Sequence, residues 1–166
     1  MVPTLNQAAT VAEQDFRQAL RHFASGVTII TTQDQAGTIH GMTATAFSSL
    51  SLTPPLILVA VAQATRCHAM ITATGRFGVS VLYDDQADLS RHFGGQASPG
   101  VIPRFDLLEG TPVIEGAMIT LACSLEQAIE GGDHTIFVGL VAAAATVPGK
   151  PLIHFDGRYR TLAPVE

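Results

Sequence analysis

Two long apolar stretches near the end of the chain constrain its fold more than any other feature. They run from Ala117 to Glu130 and from His134 to Val147, and Gly131-Gly132-Asp133 separates them. Glycine supplies the positive φ angles that a tight hairpin turn needs. The pattern therefore predicts a long antiparallel hairpin, and such a hairpin requires an antiparallel sheet around it.

Further strands are predicted around this hairpin. Val27 to Thr32 and Thr38 to Phe47 read as an antiparallel pair, because the segment from Gln33 to Gly37 has the composition of a turn. The hydroxyl-rich and proline-rich segment from Ser48 to Pro55 predicts a rigid loop. The other predicted strands are Leu56 to Ala62, Phe77 to Leu82 and a last hairpin that turns at Asp156-Gly157.

Short helices are predicted between the strands from apolar periodicity and cap signals. They run from Ala12 to Ser25 with Gly26 as C-cap, from Thr65 to Ala73 with Thr65 as N-cap and Gly75 as the end, and from Asp84 or Asp85 to about Phe93. The segment from Gly94 to Asp106 has three glycines and two prolines, and it predicts a long surface loop that can cover a ligand.

Many strands and few short helices indicate a mainly β fold, a closed antiparallel barrel rather than an alternating β-α sheet. The chain has 166 residues, which suits one domain. We assign residues 13–166 to that domain and residues 1–12 to a flexible N-terminal tail.

Composition narrows the range of partners. Apolar residues make up 47% of the chain and charged residues only 14%, so we expect part of the apolar surplus in a subunit interface. The net charge is -5 and no run of Lys or Arg occurs, which argues against nucleic acid and membranes as partners. Cys67 and Cys123 form no disulfide or zinc motif, so we expect no metal site and a cytoplasmic location.

The standard catalytic motifs are missing. The sequence has no G-x-S-x-G, no phosphate-binding P-loop, no H-E-x-x-H and no G-x-G-x-x-G. Hydrolase, phosphoryl-transfer, zinc-protease and Rossmann dehydrogenase chemistry therefore lack support, and a bound cofactor would have to supply the chemistry.

Two segments are candidates for binding such a cofactor, and each also has a purely structural explanation. Gly41 to Ser51 is dense in small residues and hydroxyls, which suits a flat polar ring but also a strand edge with a Ser-rich turn. Thr65-Arg66-Cys67-His68 joins a helix start to a guanidinium, which suits a phosphate or an ordinary capped helix. Cys67 and His68 are neighbours on a helix and do not suit a nucleophile and base pair.

Two further segments carry ionisable groups at turns. Gly131-Gly132-Asp133-His134 places a carboxylate beside an imidazole, either to contact a ligand or as a structural histidine. The segment Arg158-Tyr159-Arg160 can lie at the edge of a bound ring or contact a phosphate, or it can simply cover the end of the barrel.

Taken in order, several segments resemble the flavin reductase-like family, the short reductase components of two-component flavin monooxygenases. The resemblance runs from about Phe16 to Leu162 and rests on the following segments: Phe23-Ala24-Ser25-Gly26-Val27-Thr28, the run from Gly41-Met42-Thr43 through Ser51-Leu52-Thr53-Pro54-Pro55-Leu56, Gly75-Arg76-Phe77-Gly78-Val79-Ser80-Val81-Leu82, Gly132-Asp133-His134 and Gly157-Arg158-Tyr159-Arg160. It implies a split β-barrel, a Greek-key antiparallel barrel with flanking helices, that forms a homodimer with flavin near the subunit interface.

The resemblance also implies roles for individual residues. It places the flavin ring against Thr43 to Ser49, with Thr45, Ala46, Ser48 and Ser49 as the main contacts, and the flavin phosphate at Thr65 and Arg66. Relatives often have Ser or Lys and a second hydroxyl in the segment that reads Gln63 to His68 here, which weakens any role for Cys67. His134, oriented by Asp133, would position the nicotinamide, and Arg91 and Tyr159 would lie at the edge of the same pocket.

The activity implied by the resemblance is reduction of FMN or FAD by NADH or NADPH. Hydride would pass from nicotinamide to flavin, and the reduced flavin would go to a partner monooxygenase. Two alternatives remain open on the same barrel: an FMN oxidase similar to pyridoxamine phosphate oxidases, and a non-catalytic flavin or haem binder. The sequence does not distinguish FMN from FAD or NADH from NADPH.

Overall fold

The computed structural model describes residues 10–96 and 98–163 of the chain. The described residues form three helices and twelve strands. In chain order these are α1 (Glu13–Leu20), β1 (Ser25–Gly26), β2 (Thr28–Gln33), β3 (Ile39–Ala44), β4 (Phe47–Leu52), β5 (Pro55–Ala62), α2 (Arg66–Thr74), β6 (Arg76–Val81), α3 (Ala87–Phe93), β7 (Phe105–Leu108), β8 (Thr111–Ile114), β9 (Ile119–Gly131), β10 (His134–Thr146), β11 (Ile153–Phe155) and β12 (Arg158–Arg160). Most of the predicted N-terminal tail, residues 1–9, lies outside the described residues.

The main sheet is antiparallel and has seven strands in the order β3-β2-β6-β9-β10-β5-β4. Its two edge strands, β3 and β4, follow each other in the chain with only Thr45 and Ala46 between them. The backbone N–H of Ala60 in β5 donates to the carbonyl of Ala46 at 3.0 Å. Since so short a link joins the two edges, the sheet must curl until they meet, and this confirms the predicted antiparallel barrel.

The predicted long hairpin is confirmed as β9 and β10. These strands pair from His134 and Gly131 at the turn to Thr146 and Ile119 at the far end, with two register shifts between them. The last hairpin is also confirmed, because β11 and β12 pair across Asp156-Gly157 and add to β1 in a second, three-stranded sheet.

The predicted loop from Ser48 to Pro55 is wrong. Its first half belongs to β4, which pairs with β5, and the predicted single strand from Thr38 to Phe47 is interrupted after Ala44. Pairing with a neighbouring strand satisfies the backbone of β4, and this tertiary contact overrides the local preference of serine for turns. The predicted loop from Gly94 to Asp106 is also too long at its end, because Phe105 and Asp106 belong to β7, which pairs with β8.

Two helix boundaries also differ from their predictions. The first helix ends at Leu20 rather than Ser25, because the backbone N–H of Asp156 in the last hairpin donates to the carbonyl of Arg21 at 2.7 Å. The N-cap position of α3 is Gln86, not Asp84 or Asp85. For α2 the prediction is confirmed at both ends, since Thr65 is the N-cap and Gly75 the C-cap with a φ of 66°.

The core has two parts. One fills the barrel around Ile30, Val59, Phe77 and Phe137. The other lies under α3 and the last hairpin, where Phe93 of α3 and Tyr159 of β12 pack against buried residues such as Leu82 and Leu152. The second part of the core therefore brings α3 and the C-terminal hairpin together beside β3.

Candidate functional site

The link between β3 and β4 presents small polar residues on the surface of the barrel. Thr45 and Ala46 are exposed, and so are Ser48 and Ser49 on the first half of β4. The backbone on either side is fixed, because the Thr28 hydroxyl donates to the carbonyl of Ala44 at 2.8 Å and Ala46 is bonded to β5. A fixed, shallow surface with few bulky side chains lets a planar ring approach the backbone.

Thr43 lies on the same strand but is already engaged within the chain. Its hydroxyl donates to the backbone carbonyl of Ser90 in α3 at 2.6 Å. Gly41 permits this close approach, because a Cβ at that position would lie 2.6 Å from the ring of Phe93. Thr43 therefore holds α3 against β3, and its hydroxyl is turned toward the helix.

Arg91 and Tyr159 meet beside this contact. The guanidinium carbon of Arg91 lies 5.1 Å from the centre of the Tyr159 ring, and the same guanidinium pairs with Asp88. The Tyr159 hydroxyl donates to the hydroxyl oxygen of Ser90 at 2.8 Å. The structure thus gathers three predicted site residues, Thr43, Arg91 and Tyr159, around a serine that the sequence had not singled out.

The start of α2 has the chemistry of an anion site. The Thr65 hydroxyl accepts from the backbone N–H of His68 at 3.2 Å and donates to the carbonyl of Ala62 at 2.8 Å. The first turn contains no acidic residue, and Arg66 is exposed at the first helical position. Amide groups at a helix start have no acceptor within the helix, so they and the guanidinium can together bind a phosphate.

Asp133 and His134 form a pair at the turn between β9 and β10. The imidazole Nδ1 of His134 lies 2.7 Å from the carboxylate of Asp133. The hydrogen bond from His134 lowers the pKa of Asp133 below its ordinary value, and the positive charges of His134 and Arg17 act in the same direction. Because this contact uses Nδ1, Nε2 is the ring nitrogen that can face a ligand.

The α2 start and the β9–β10 turn are directly joined. The backbone N–H of Gln63 donates to the carbonyl of Asp133 at 3.0 Å, and the imidazole Nε2 of His68 lies 2.8 Å from the hydroxyl oxygen of Thr135. Gln63 is not among the predicted site residues, and His68 lies in the predicted phosphate segment without a role of its own. The sequence gives no local signal for these two contacts, because they are made with residues about 70 positions away in the chain.

Both groups of residues border β3. Helix α2 packs against β2, β3 and β5, and α3 packs against β2 and β3. The predicted ring segment continues directly from β3 through Thr45 and Ala46. The structure thus arranges the predicted residues as two clusters, one at the start of α2 and one at α3, and both helices pack against β3.

The two cysteines do not contribute reactive groups to the candidate site. Cys67 and Cys123 are free and buried. Burial raises the pKa of the Cys67 thiol to about 11 and that of Cys123 to about 12. Both thiols stay protonated at neutral pH and neither suits a nucleophile.

Two further properties of the described residues bear on function. Among residues 10–96 and 98–163, no three His, Cys, Asp or Glu side chains group together as a metal site requires. Within the same ranges no helix is long and apolar enough to cross a membrane.

The donor set fits a flavin and a nicotinamide dinucleotide better than a metal. Exposed amides and hydroxyls at the β3–β4 link match the polar edge of a flavin ring, and the α2 start matches its phosphate. With Nδ1–H donated to Asp133, the neutral imidazole of His134 presents Nε2 as an acceptor, which can take a hydrogen bond from the NH₂ group of a carboxamide. These residues can hold and orient two planar cofactors, and they offer no nucleophile of their own.

The chain is similar in sequence to several known proteins. The family model described as "Flavin reductase like domain" matches residues 20–163. An NADH-dependent flavin reductase from Rhodococcus sp is 43% identical over 88% of this chain and 84% of its own length. The reductase component of 4-hydroxyphenylacetate 3-monooxygenase from Thermus thermophilus is 40% identical over 90% of this chain and 97% of its own.

A solved structure with bound ligands is also similar. The NADH:FAD oxidoreductase SgcE6 of Streptomyces globisporus, in complex with NAD and FAD fragments, superposes with a TM-score of 0.84 at 36% identity. The match covers 95% of this chain and 98% of the other. The family model, the relatives in sequence and the similar solved structure therefore agree with one another.

Proposed function

The chain belongs to the flavin reductase-like domain family, and from this membership we propose that it is an NADH-dependent reductase of FAD or FMN. Its reduced product passes to a separate flavin-dependent monooxygenase. The family model covers most of the chain, and the relatives are named for this activity or as reductase components of monooxygenases.

The observation that carries the proposal is the direct joining of the α2 start to the Asp133–His134 turn. The Gln63 to Asp133 hydrogen bond and the His68 to Thr135 contact hold a phosphate-binding segment next to an oriented imidazole. A reaction between two bound cofactors needs their sites at a fixed separation, because the rate depends on how the reacting atoms are placed.

The chemistry comes from the cofactors: the nicotinamide gives up a hydride and the flavin accepts it. The chain's own residues bind and orient. Thr45, Ala46, Ser48 and Ser49 provide the surface for the ring, and Thr65 and Arg66 bind the flavin phosphate. Backbone N–H groups along the ring surface stabilise the negative charge that develops on the reduced ring.

His134 positions the nicotinamide in this proposal, and Asp133 orients His134. The Asp133 carboxylate accepts from Nδ1, which fixes the tautomer and turns Nε2 outward. Arg91 and Tyr159 form the edge of the site beside β3, where the cation lies over the aromatic face.

A homodimer is part of the proposal. Helix α1 has no buried residue, and its apolar face is exposed: Phe16 is 52% exposed, Leu20 53% and, just beyond the helix, Phe23 75%. Leu52 at the end of β4 is 92% exposed. A second copy that covers α1 and β4 would bury this surface and close the ring site from one side. Light scattering after gel filtration tests the dimer, and a monomeric mass would contradict it.

NADH is proposed over NADPH because the relative from Rhodococcus is named for NADH. Both FAD and FMN remain substrates in the proposal. A cytoplasmic location is also proposed, since both cysteines are free and such thiols are typical of a reducing compartment.

The direct test follows the absorbance of NADH, and separately of NADPH, with purified protein and added FAD or FMN in air. We expect NADH oxidation that depends on both the protein and the added flavin. Absence of oxidation with every pairing would contradict the proposal. Oxidation of an amine by a protein that retains FMN would favour the oxidase alternative instead.

A further inference from the structure

Ser90 occupies an unusual position for a residue without an assigned role. It lies in the middle of α3 and is 1% exposed. Its carbonyl accepts from two donors, the Thr43 hydroxyl at 2.6 Å and the backbone N–H of Gly94 at 2.9 Å. Its hydroxyl oxygen accepts from the Tyr159 hydroxyl at 2.8 Å.

These contacts join two distant parts of the chain. Thr43 belongs to the strand that leads into the flavin segment, whereas Tyr159 belongs to the last hairpin. Arg91, the residue after Ser90, places its guanidinium over the Tyr159 ring. One buried serine thus contacts two proposed site residues and lies next to a third.

We propose that Ser90 is a positioning residue of the flavin site, which fixes Tyr159 and Arg91 relative to β3. This inference rests on the proposed function, because it concerns the same site. Ser90 does not touch the cofactor in this proposal. It acts through Tyr159, whose ring would otherwise be free to tilt away from Arg91.

The physical reason is the directionality of the hydrogen bond. Apolar packing under α3 is tolerant of small rotations, whereas a hydroxyl pair at 2.8 Å specifies where the Tyr159 ring lies. The ring, together with Asp88, in turn sets the position of the Arg91 side chain, which is 42% exposed. Loss of the bond should therefore cost binding affinity more than it costs the reaction step.

The test compares Ser90→Ala and Tyr159→Phe, which remove the two ends of the same bond, and their double variant. Flavin affinity is measured by quenching of flavin fluorescence, and kcat and KM are measured with NADH. We expect each single variant to raise the Kd for flavin about three- to tenfold, with a smaller effect on kcat. The double variant should be no worse than the worse single variant, because both remove one interaction.

Ser80→Ala is the matched control. Ser80 is also a fully buried serine, and its hydroxyl accepts from the backbone N–H of Ile114 at 2.9 Å. It lies on β6, separated from Thr43 by β2, and its hydroxyl is bonded to β8 and not to any proposed binding residue. Ser80→Ala should lower the melting temperature without raising the flavin Kd, which separates positioning from general stability.

The outcomes are distinct. Wild-type protein that neither binds flavin nor oxidises NADH would overturn the proposed function and this inference with it. Wild-type activity combined with flavin Kd values for Ser90→Ala and Tyr159→Phe within twofold of wild type would overturn the inference alone. An equal rise in Kd for Ser80→Ala would do the same. If Ser90→Ala does not fold, Tyr159→Phe decides, since it removes only one half-buried hydroxyl.

Discussion

The imidazole of His68 and the hydroxyl of Thr135 lie 2.8 Å apart, and this contact ties the start of α2 to the first residues of β10. Thr135 is 5% exposed and directly follows His134. The His68 ring also packs against Phe137, with ring centres 5.2 Å apart. The contact therefore connects the proposed phosphate segment to the proposed nicotinamide turn through one polar pair.

Removal of one member of this pair should destabilise the protein. We expect His68→Leu or Thr135→Val to lower the free energy of unfolding by about 1–3 kcal/mol, because the remaining polar group loses its partner. The double variant should lose less than the sum. Chemical denaturation of all four proteins measures the coupling, and strictly additive effects would contradict a direct interaction.

His134→Ala should impair the use of NADH more than flavin binding. We expect the KM for NADH to rise about tenfold while the Kd for flavin changes little, because Nε2 faces the dinucleotide in the proposal. The control is His40→Ala. His40 is a half-buried histidine near the start of β3, at the opposite end of that strand from Thr45 and Ala46. Unchanged NADH kinetics in His134→Ala would remove His134 from the site.

Arg66 should contribute to the binding affinity for a flavin only through the phosphate of that flavin. We expect Arg66→Gln to weaken binding of FMN about three- to tenfold, because a charge-assisted hydrogen bond is lost. Riboflavin has the same ring without the phosphate, so its affinity should stay unchanged. Equal losses for FMN and riboflavin would show that Arg66 does not bind the phosphate.

The Asp133–His134 pair should contribute to stability at all but strongly acidic pH. The hydrogen bond from His134 to the Asp133 carboxylate holds the pKa of Asp133 below the ordinary value of 3.8, so folding favours the ionised carboxylate. This contribution is complete above pH 3.8 and is lost as the pH falls through the lower folded value.

Asp133→Asn provides the measurement. The stability difference from wild type should persist from neutral pH down to the unfolded pKa and should shrink below it. Asp34 offers a comparison, because the backbone N–H of Thr38 lowers its pKa as well. The stability difference between Asp34→Asn and wild type should likewise shrink at acidic pH, and the KM for NADH should not change in this variant.

The thiols should be inert in the folded protein. Burial raises the pKa of Cys67 to about 11 and that of Cys123 to about 12, so neither forms a thiolate at neutral pH. We expect a thiol reagent to label both only after unfolding in denaturant. Rapid labelling of the native protein would contradict this burial.

Patterns that are local in the sequence were predicted well. The β9–β10 hairpin, the last hairpin and both ends of α2 depend on neighbouring turn and cap residues, and all agree with the structure. The Ser-rich segment after Phe47 was misread as a loop. Its backbone is paired by β5, and that partner cannot be recognised from the serines themselves.

The residues of the candidate site also differ in whether a local sequence signal marks them. Thr65 and Arg66 could be proposed from the sequence because a helix start beside a guanidinium is a local signal. Ser90 was missed, because nothing near it in the sequence indicates that Thr43 and Tyr159 both bond to it.

The sequence by itself determined the antiparallel barrel, since turn residues, caps and strand patterns act over a few neighbouring positions, and its resemblance to known proteins determined the family. Only the tertiary structure decided which side chains meet: Gln63 with Asp133, His68 with Thr135, and Ser90 with Thr43 and Tyr159. Those contacts join residues far apart in the chain, and they form only when the curled sheet and the packed helices bring them within hydrogen-bonding distance.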